Sequence, residues 1–359
     1  MISQARCTAA GSSFRTRSVR PWERAGDQVS SQPLAGNLRP LDVFSSIADD
    51  LRQVETAIEA ALSTQETMLE EVSTHLLRSG GKRIRPALVI LTSRFPGVDL
   101  KQVIDVAVAV ELIHMATLVH DDVVDNADLR RGRPTVNALW NNQVSVLTGD
   151  YLFAKAFTLL ADTGNNRVVR LMSEVVREMS QGELAQMASY FDVEQTEEDY
   201  YRRIARKTGY LIAEACRLGA VMAGAGEEQV QAVYDYGMGV GLSFQIADDL
   251  LDFFGDEETV GKPVCGDLKI GILTLPVIHG LAHAPRRAEL RELILSRSID
   301  DAAVARVKEI LTESGSFDYA RGKAREHIEK AVRALDHVPT LATRPALKTL
   351  AEFVINRKF

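Results

Sequence analysis

The sequence predicts an all-α protein built around one large helical domain, and three observations indicate this fold class. Apolar residues recur at the spacing of an amphipathic helix, as at Val54, Ile58 and Leu62. The good helix formers Ala, Leu, Glu, Arg and Gln dominate the same stretches. No run alternates apolar and polar residues between turn signals, as a half-buried strand would.

Helices are predicted over most of the chain after residue 41, and each ends where glycine, proline or asparagine gather. The clearest helical segments are residues 103–119, 144–160, 168–187, 200–223, 230–254 and 304–311. The breaks lie at residues 80–81, 95–97, 132–134, 164–166, 261–263 and 284–285. Because none of these breaks is long enough for a linker, we expect residues 41–359 to form a single domain.

The first 40 residues differ in composition from the rest of the chain. They contain six arginines and no lysine, and their only acidic residues are Glu23 and Asp27. This composition resembles an organelle transit peptide and is also typical of a disordered tail. We therefore expect residues 1–40 to be a disordered or targeting-like extension. The protein is expected to be cytoplasmic, or in an organelle if this extension is a transit peptide.

The overall composition argues against several classes of function. The formal net charge of -7 argues against a nucleic-acid partner, which would require a basic surface. The cysteines Cys7, Cys216 and Cys265 lie far apart and show neither a zinc-binding nor a disulfide pattern. The most apolar stretch, residues 103–119, is interrupted by polar residues, so we expect a buried core helix and no transmembrane segment.

The pattern DDxxD occurs twice, starting at Asp121 and at Asp248, each time at the end of an apolar helical segment. Residues i and i+4 lie on the same face of a helix, about 6 Å from each other along its axis. The side chains of Asp121 and Asp125 therefore lie on one face, and so do those of Asp248 and Asp252. Such like-charge pairs are unfavourable unless a cation neutralises them. Carboxylates select hard ions such as magnesium, which is usual where a diphosphate supplies the remaining oxygens.

Basic residues gather beside these acidic clusters, although the chain as a whole is acidic. The motif GGKRIRP at residues 80–86 places Lys82 and Arg85 on one side of a turn, and Arg130 and Arg131 follow the first aspartate cluster. Arginine binds phosphate oxygens in a bidentate manner, whereas lysine acts as a point charge. This combination favours anionic, phosphorylated substrates that bind together with metal ions.

Together these motifs resemble the trans-polyprenyl diphosphate synthase family, and its long-chain heptaprenyl members in particular. The resemblance extends from about residue 41 to residue 359. Its motifs are GGKRIRP (80–86), HMATLVHDDVVDNADLRRG (114–132), GDYLFAKA (149–156), QGEL (181–184), KT (207–208) and FQIADDLLDFFGDEETVGKP (244–263). The resemblance implies an all-α isoprenoid synthase bundle with a deep central cavity, usually as a homodimer.

The resemblance also implies an enzyme, a magnesium-dependent prenyltransferase with several Mg2+ ions bridged by diphosphate. Its substrates would be isopentenyl diphosphate and an allylic diphosphate such as farnesyl or geranylgeranyl diphosphate. The implied metal ligands are Asp121, Asp125 and Asp248, supported by Asp122, Asp249 and Asp252. The implied allylic diphosphate ligands are Arg130, Lys207 and Lys262. The implied isopentenyl diphosphate ligands are Lys82, Arg85, His114 and Arg131. The residues implied to line the reacting centre are Thr208 and Gln245.

Product length is expected to depend on the residues below the first aspartate cluster. Counting back four, five and eight residues from Asp121 leads to Thr117, Ala116 and Ile113. Short-chain members of the family place an aromatic ring at one of the first two positions, whereas both residues are small here. We therefore expect a product of about C30 to C50, with the heptaprenyl chain as the first expectation.

Three other interpretations stay open at this point. A short-chain farnesyl or geranylgeranyl diphosphate synthase shares the same motifs. A noncatalytic subunit of a heteromeric synthase keeps the fold but tends to lose aspartates, and some catalytic subunits need a small regulatory partner. A class I terpene cyclase usually has one DDxxD and a second metal motif of the Asn/Ser/Glu type. The second DDxxD and the additional basic residues favour chain elongation over cyclisation.

Overall fold

A computed structural model describes residues 44–96, 98, 100–254 and 265–355. The N-terminal extension expected at residues 1–40 and the substrate ligand expected at Lys262 both lie outside these described residues. Within the described part, the structure is helical apart from one pair of very short strands. The predicted all-α fold class is therefore confirmed.

The secondary structure follows the chain in a simple order. The helices are α1 (Ala48–Leu62), α2 (Thr67–Arg78), α3 (Ile84–Thr92), α4 (Leu100–Val124), α5 (Val136–Leu139), α6 (Asn142–Asp162), α7 (Asn166–Ala188), α8 (Glu197–Ile204), α9 (Tyr210–Met222), α10 (Glu227–Phe254), α11 (Gly266–Ile270), α12 (Leu275–His283), α13 (Arg287–Leu295), α14 (Asp301–Glu313), α15 (Ser316–Ala334) and α16 (Arg344–Ile355). Strands β1 (Leu129–Arg130) and β2 (Arg133–Pro134) pair antiparallel. The sequence predicts no strand here, because two residues are too few to show an alternating pattern.

Helix α4 is the central helix of the bundle. Residues 106–110, 112 and 113 are at most 1% exposed, so the helix is buried on every side rather than along one stripe. It packs against α1, α3, α6 and α9. This packing fixes the direction of α4 and therefore the place where its C-terminal aspartates lie.

Helix α10 joins two hydrophobic cores. Its first half contributes Val230 and Val233 to the core that contains α4. Its second half contributes Ile246 and Leu250 to a second core, formed with α8 and the helices α12 to α15. The second aspartate cluster is therefore part of a helix that is anchored at both ends.

Within the described part of the chain, two helices are long and apolar enough to cross a membrane, judged by length and composition alone. The most apolar 18-residue window of α4 is 72% buried, and that of α6 is 33% buried. Core helices of soluble proteins pass the same test, so one or two such helices are weak evidence for a membrane span. The buried core helix expected at residues 103–119 lies within α4, and most of its residues are buried.

One buried acid away from the aspartate clusters makes the stability of the fold depend on pH. Glu214 of α9 is 3% exposed, and one of its oxygens has no hydrogen-bond partner among the described residues. Burial raises the pKa of Glu214 to about 7, although Arg217 lies 3.3 Å from the other oxygen and lowers it. In the unfolded chain this carboxyl has its ordinary pKa near 4.5.

We predict that Glu214→Gln reduces the loss of stability between pH 5 and pH 8. Between the two pKa values the folded protein binds the proton more tightly, so the free energy of unfolding falls as pH rises toward 7 and then levels off. Removing the acid should reduce this fall by about 1–3 kcal/mol, measured by urea unfolding. The control is the exposed Glu329→Gln, and equal pH dependence in both variants would contradict the prediction.

Candidate active site

The first aspartate cluster lies at the last turn of α4. The backbone N–H of Asp125 donates to the carbonyl of Asp121 at 2.8 Å, so the helical turn continues and keeps both carboxylates on one side. The middle residue, Asp122, is buried and accepts a hydrogen bond from Nε of Arg130 at 2.7 Å. The outer two aspartates thus line the site, while the middle one orients an arginine.

A short hairpin holds the two neighbouring arginines. Arg130 and Arg131 lie where β1 turns into β2, and the Thr135 hydroxyl behind the hairpin donates to the Ala127 carbonyl at 2.7 Å. Arg131 has a left-handed backbone (φ 54°), and its Nη1 donates to the carbonyl of Gly80. The hairpin therefore brings the first aspartate cluster next to the GGKRIRP turn.

The middle residue of the second cluster is also fixed internally. Asp249 of α10 is 4% exposed and accepts hydrogen bonds from the hydroxyl of Tyr200 at 2.7 Å and from Nε2 of Gln245 at 2.8 Å. Gln245 in turn accepts a bond from the Thr208 hydroxyl at 2.6 Å. Burial raises the pKa of Asp249 to about 7, against the effect of these hydrogen bonds. The network fixes α10 relative to the segment that carries Thr208.

The outer residues of the second cluster have different neighbours. Asp252 accepts hydrogen bonds from the backbone N–H groups of Gly266 at 3.1 Å and Asp267 at 3.4 Å, at the start of α11. The charge of Asp248 interacts with the guanidinium of Arg85, which comes from α3. The second cluster is thus close to one of the residues expected to bind isopentenyl diphosphate.

Lys207 reaches the first cluster because the helix that carries it is locally widened. The sequence predicts one helix over residues 200–223, but residues Ala205–Gly209 form a π-helical turn between α8 and α9. Such turns insert a residue and redirect side chains, frequently at functional sites. Nζ of Lys207 lies 3.1 Å from Glu183 of α7. A side chain at Gly182 would come within 2.7 Å of Arg206 Cβ, so glycine permits this close approach.

The charges around Asp121 make it receptive to a cation. Burial, followed by repulsion from Glu183, raises the pKa of Asp121 to about 6, while Lys207 and Arg130 act in the opposite direction. Although burial opposes the charged form of Lys207, Glu183 and Asp121 raise its pKa. A further cation beside this buried carboxylate would stabilise its ionised form. Among the described residues, no three His, Cys, Asp or Glu side chains converge closely enough to hold a metal by themselves.

His114 lies on α4 among arginines. Burial lowers the pKa of His114 well below its usual value, and Arg85 and Arg131 lower it further. The imidazole is therefore neutral near pH 7, as a neutral hydrogen-bond donor requires. Lys82 is exposed, and Arg85 is partly buried. Three of the four expected isopentenyl diphosphate ligands, His114, Arg85 and Arg131, thus lie within electrostatic range of one another.

The three residues expected to control product length differ in their exposure. Ile113 and Ala116 have no exposed surface, because they pack inside the bundle. Thr117 is partly exposed, and its hydroxyl donates to the His114 carbonyl at 2.8 Å. Of the three, only Thr117 therefore reaches accessible surface.

Sequence reasoning assigned no role to two residues that the structure places in the site. Glu183 belongs to the QGEL motif and binds Lys207, so its motif was the signal that pointed to it. Tyr200 binds Asp249 from α8, which is 49 residues away in the chain. No local pattern reveals such a contact, since it arises from packing between helices.

Comparison with known proteins identifies the family. The sequence profile described as polyprenyl synthetase matches residues 66–312. The chain belongs to this family. It is 42% identical over 317 residues to heptaprenyl diphosphate synthase component 2 of Geobacillus stearothermophilus, a match that covers 88% of this chain and 98% of that relative.

Solved structures of polyprenyl synthetase relatives have the same fold. A decaprenyl diphosphate synthase from Rhodobacter capsulatus superposes with a TM-score of 0.83 at 37% identity, covering 88% of this chain and 99% of that one. A polyprenyl synthase from Caulobacter crescentus, complexed with calcium and isoprenyl diphosphate, superposes with a TM-score of 0.83 at 34% identity, covering 91% and 100%. The predicted isoprenoid synthase fold and the prediction of a prenyltransferase are therefore confirmed.

We predict that Tyr200→Phe impairs prenyl transfer as well as stability. The change leaves one oxygen of buried Asp249 without its donor, which should cost about 1–3 kcal/mol of unfolding free energy. It should also loosen the network to Thr208 and lower the rate of prenyl transfer by roughly tenfold.

The matched control for this change is Tyr236→Phe, which loses a buried hydrogen bond to the Leu347 carbonyl in the first core. Both variants should lose similar stability in urea unfolding. If both also lose the same activity, the effect of Tyr200 is general destabilisation and not positioning of the second cluster.

Proposed function

We propose that this enzyme lengthens an allylic diphosphate with isopentenyl diphosphate and releases a linear, long-chain polyprenyl diphosphate. The observation that carries the proposal is that each of the two aspartate clusters interacts with cations from a different element. Lys207 interacts with Asp121 and Asp125, and Arg85 interacts with Asp248. Two groups of cations suit two diphosphates, which is what an elongation reaction requires.

Magnesium is the metal that we propose for this site. Carboxylates at the ends of two helices suit a hard ion that takes its other ligands from phosphate oxygens. Asp121, Asp125 and Asp248 would hold the ions, with Asp122, Asp249 and Asp252 in support. The pKa of Asp121, raised first by burial and then by repulsion from Glu183, fits this role, since a bound cation would stabilise the ionised carboxylate. The Caulobacter crescentus relative, complexed with calcium and isoprenyl diphosphate, supports the proposal of a divalent ion.

The protein side chains would bind and orient the two substrates. Lys207, Arg130 and Lys262 would bind the allylic diphosphate, and their charge would stabilise the leaving group as the C–O bond breaks. When bound, magnesium would supply further positive charge to the same leaving group. Lys82, Arg85, His114 and Arg131 would hold isopentenyl diphosphate so that its double bond attacks the allylic carbon. The departing diphosphate would take the proton that is then lost.

A long product is favoured by the small residues below Asp121. Because neither Ala116 nor Thr117 is aromatic, no ring at these positions would block the growing prenyl chain. We therefore propose chains of about C30 to C50, with heptaprenyl as the first expectation. The relatives named as heptaprenyl and decaprenyl diphosphate synthases support this size class. A farnesyl or geranylgeranyl product is the alternative.

We further propose that residues 41–359 form one catalytic domain that acts as a homodimer. Helix α6 supports a dimer, because its apolar residues Val146 and Leu147 are 43% and 68% exposed. The Geobacillus stearothermophilus relative is named component 2, which supports a small partner subunit as the alternative. Light scattering of the purified chain would decide between the homodimer and the complex with a partner subunit.

A cytoplasmic location is proposed, and mass spectrometry of the native N-terminus would reveal a cleaved targeting segment.

Replacing either leading aspartate should abolish turnover. Asp121→Ala and Asp248→Ala each remove a metal ligand, so incorporation of labelled isopentenyl diphosphate should fall by at least about a hundredfold. The melting temperature of Asp121→Ala should not fall, because burial already disfavours that charge. The control is Asp128→Ala, an exposed residue near the first cluster. Near-normal rates in either variant would refute the assignment of the metal site.

Enlarging Ala116 should shorten the product. The ring in Ala116→Phe would fill the path below Thr117, at a cost of about 1–3 kcal/mol of stability from overpacking. Ala109→Phe is the matched control, because it places the same ring about 10 Å further down the helix. Chromatography of dephosphorylated products should show the shortest chains for Ala116→Phe and intermediate chains for Ala109→Phe. Unchanged products in both variants would show that other residues limit the length of the product.

A further inference from the structure

The middle basic residue of the GGKRIRP turn does not lie beside its two basic neighbours. Lys82 is exposed, whereas the side chain of Arg83 is only 7% exposed. Nη1 of Arg83 donates to Oε1 of Glu111 at 2.8 Å, and its Nε donates to Oε1 of Glu55 at 3.4 Å. Two carboxylates from α4 and α1 therefore hold the Arg83 guanidinium inside the protein.

The backbone of the turn depends on this inward placement. Arg83 has a left-handed conformation with φ 49° and ψ 36°, immediately before α3 begins at Ile84. This region is uncommon for residues other than glycine and persists where the surrounding structure holds it. The two ion pairs supply such a hold, because they connect Arg83 to helices on either side of α3. Releasing Arg83 would let the turn relax and would move Lys82 and Arg85.

Three charged groups meet at Gly81. A Cβ atom at this position would lie 3.1 Å from Nη1 of Arg83, 3.3 Å from Nη1 of Arg131 and 3.7 Å from Oε1 of Glu111. Glu111 is 4% exposed and lies close enough to support the charge of both Arg85 and Arg131, whose pKa values burial would otherwise lower further. The pair of Arg83 and Glu111 thus lines the same pocket as His114 and Arg131, but the Arg83 guanidinium is already engaged by carboxylates there.

We propose that Arg83 is a positioning residue for the non-allylic diphosphate and not one of its ligands. Held by Glu111 and Glu55, it fixes the turn at residues 80–85 so that Lys82 and Arg85 face the substrate. This inference rests on the proposed function, since it assumes that the site binds isopentenyl diphosphate. If Arg83 were instead a ligand, Glu111 would compete with the substrate for it.

The two roles predict opposite effects of removing Glu111. A positioning role predicts that Glu111→Gln raises KM for isopentenyl diphosphate, because the turn loses its anchor. A ligand role predicts that the same change lowers this KM, because Arg83 is released to bind the substrate. The amide keeps the shape of the carboxylate, so the comparison isolates its charge.

The experiment is a double-mutant cycle with Arg83→Gln, Glu111→Gln and the double variant. Each single change should raise KM for isopentenyl diphosphate by about tenfold, with KM for the allylic substrate changed by less than about twofold. The KM of the double variant for isopentenyl diphosphate should be no higher than that of either single variant, because both changes remove the same ion pair. It also removes both charges of the shorter and more buried ion pair together, so it should fold even if a single variant does not.

Controls separate positioning from general destabilisation. Glu214→Gln changes another buried glutamate and should leave both KM values unchanged, while Glu55→Gln breaks only the longer contact and should have a smaller effect than Glu111→Gln. A lowered KM in Glu111→Gln, multiplicative effects in the double variant, or reduced melting temperatures with unchanged KM would each overturn the inference. Failure of the wild-type protein to incorporate isopentenyl diphosphate would instead refute the proposed function.

Discussion

The arrangement of the site depends on balancing carboxylates at the ends of two buried helices against cations that other elements supply. Asp121 lies in the last turn of the central helix α4, and Asp248 lies where α10 passes between two cores. Neither helix can turn its charges toward bulk water without losing its packing. The charges are therefore met by Lys207 on a π-helical turn and by Arg85 on α3.

The middle aspartates explain how such a dense charge cluster remains ordered. Asp122 is bound to Arg130, and Asp249 is bound to Tyr200 and Gln245, so each of them has internal partners. In the proposed metal site these two aspartates would therefore set the orientation of the helix ends. Substrate binding would complete the neutralisation that the protein leaves unfinished around Asp121.

Most of the fold could be predicted from the sequence, because helical periodicity and turn residues are local signals. Both aspartate clusters could be recognised in the same way. The π-helical turn at Lys207 could not, since it differs from an α-helix by one inserted residue. The inward direction of Arg83 was equally hidden, because it follows from a left-handed backbone and from Glu111, which is 28 residues away. The sequence also could not show how far each residue below Asp121 is enclosed: Ala116 is fully buried, whereas Thr117 is partly exposed.

Product analysis tests the proposed reaction and its long product most directly. The purified protein would be incubated with farnesyl diphosphate, labelled isopentenyl diphosphate and magnesium, and the dephosphorylated products would be sized by chromatography. We expect a linear ladder that ends between about C30 and C50. A product that stops at about C20 would keep the reaction but contradict the role given to Ala116 and Thr117. No magnesium-dependent product from the chain alone would contradict the proposal that it is a self-sufficient synthase.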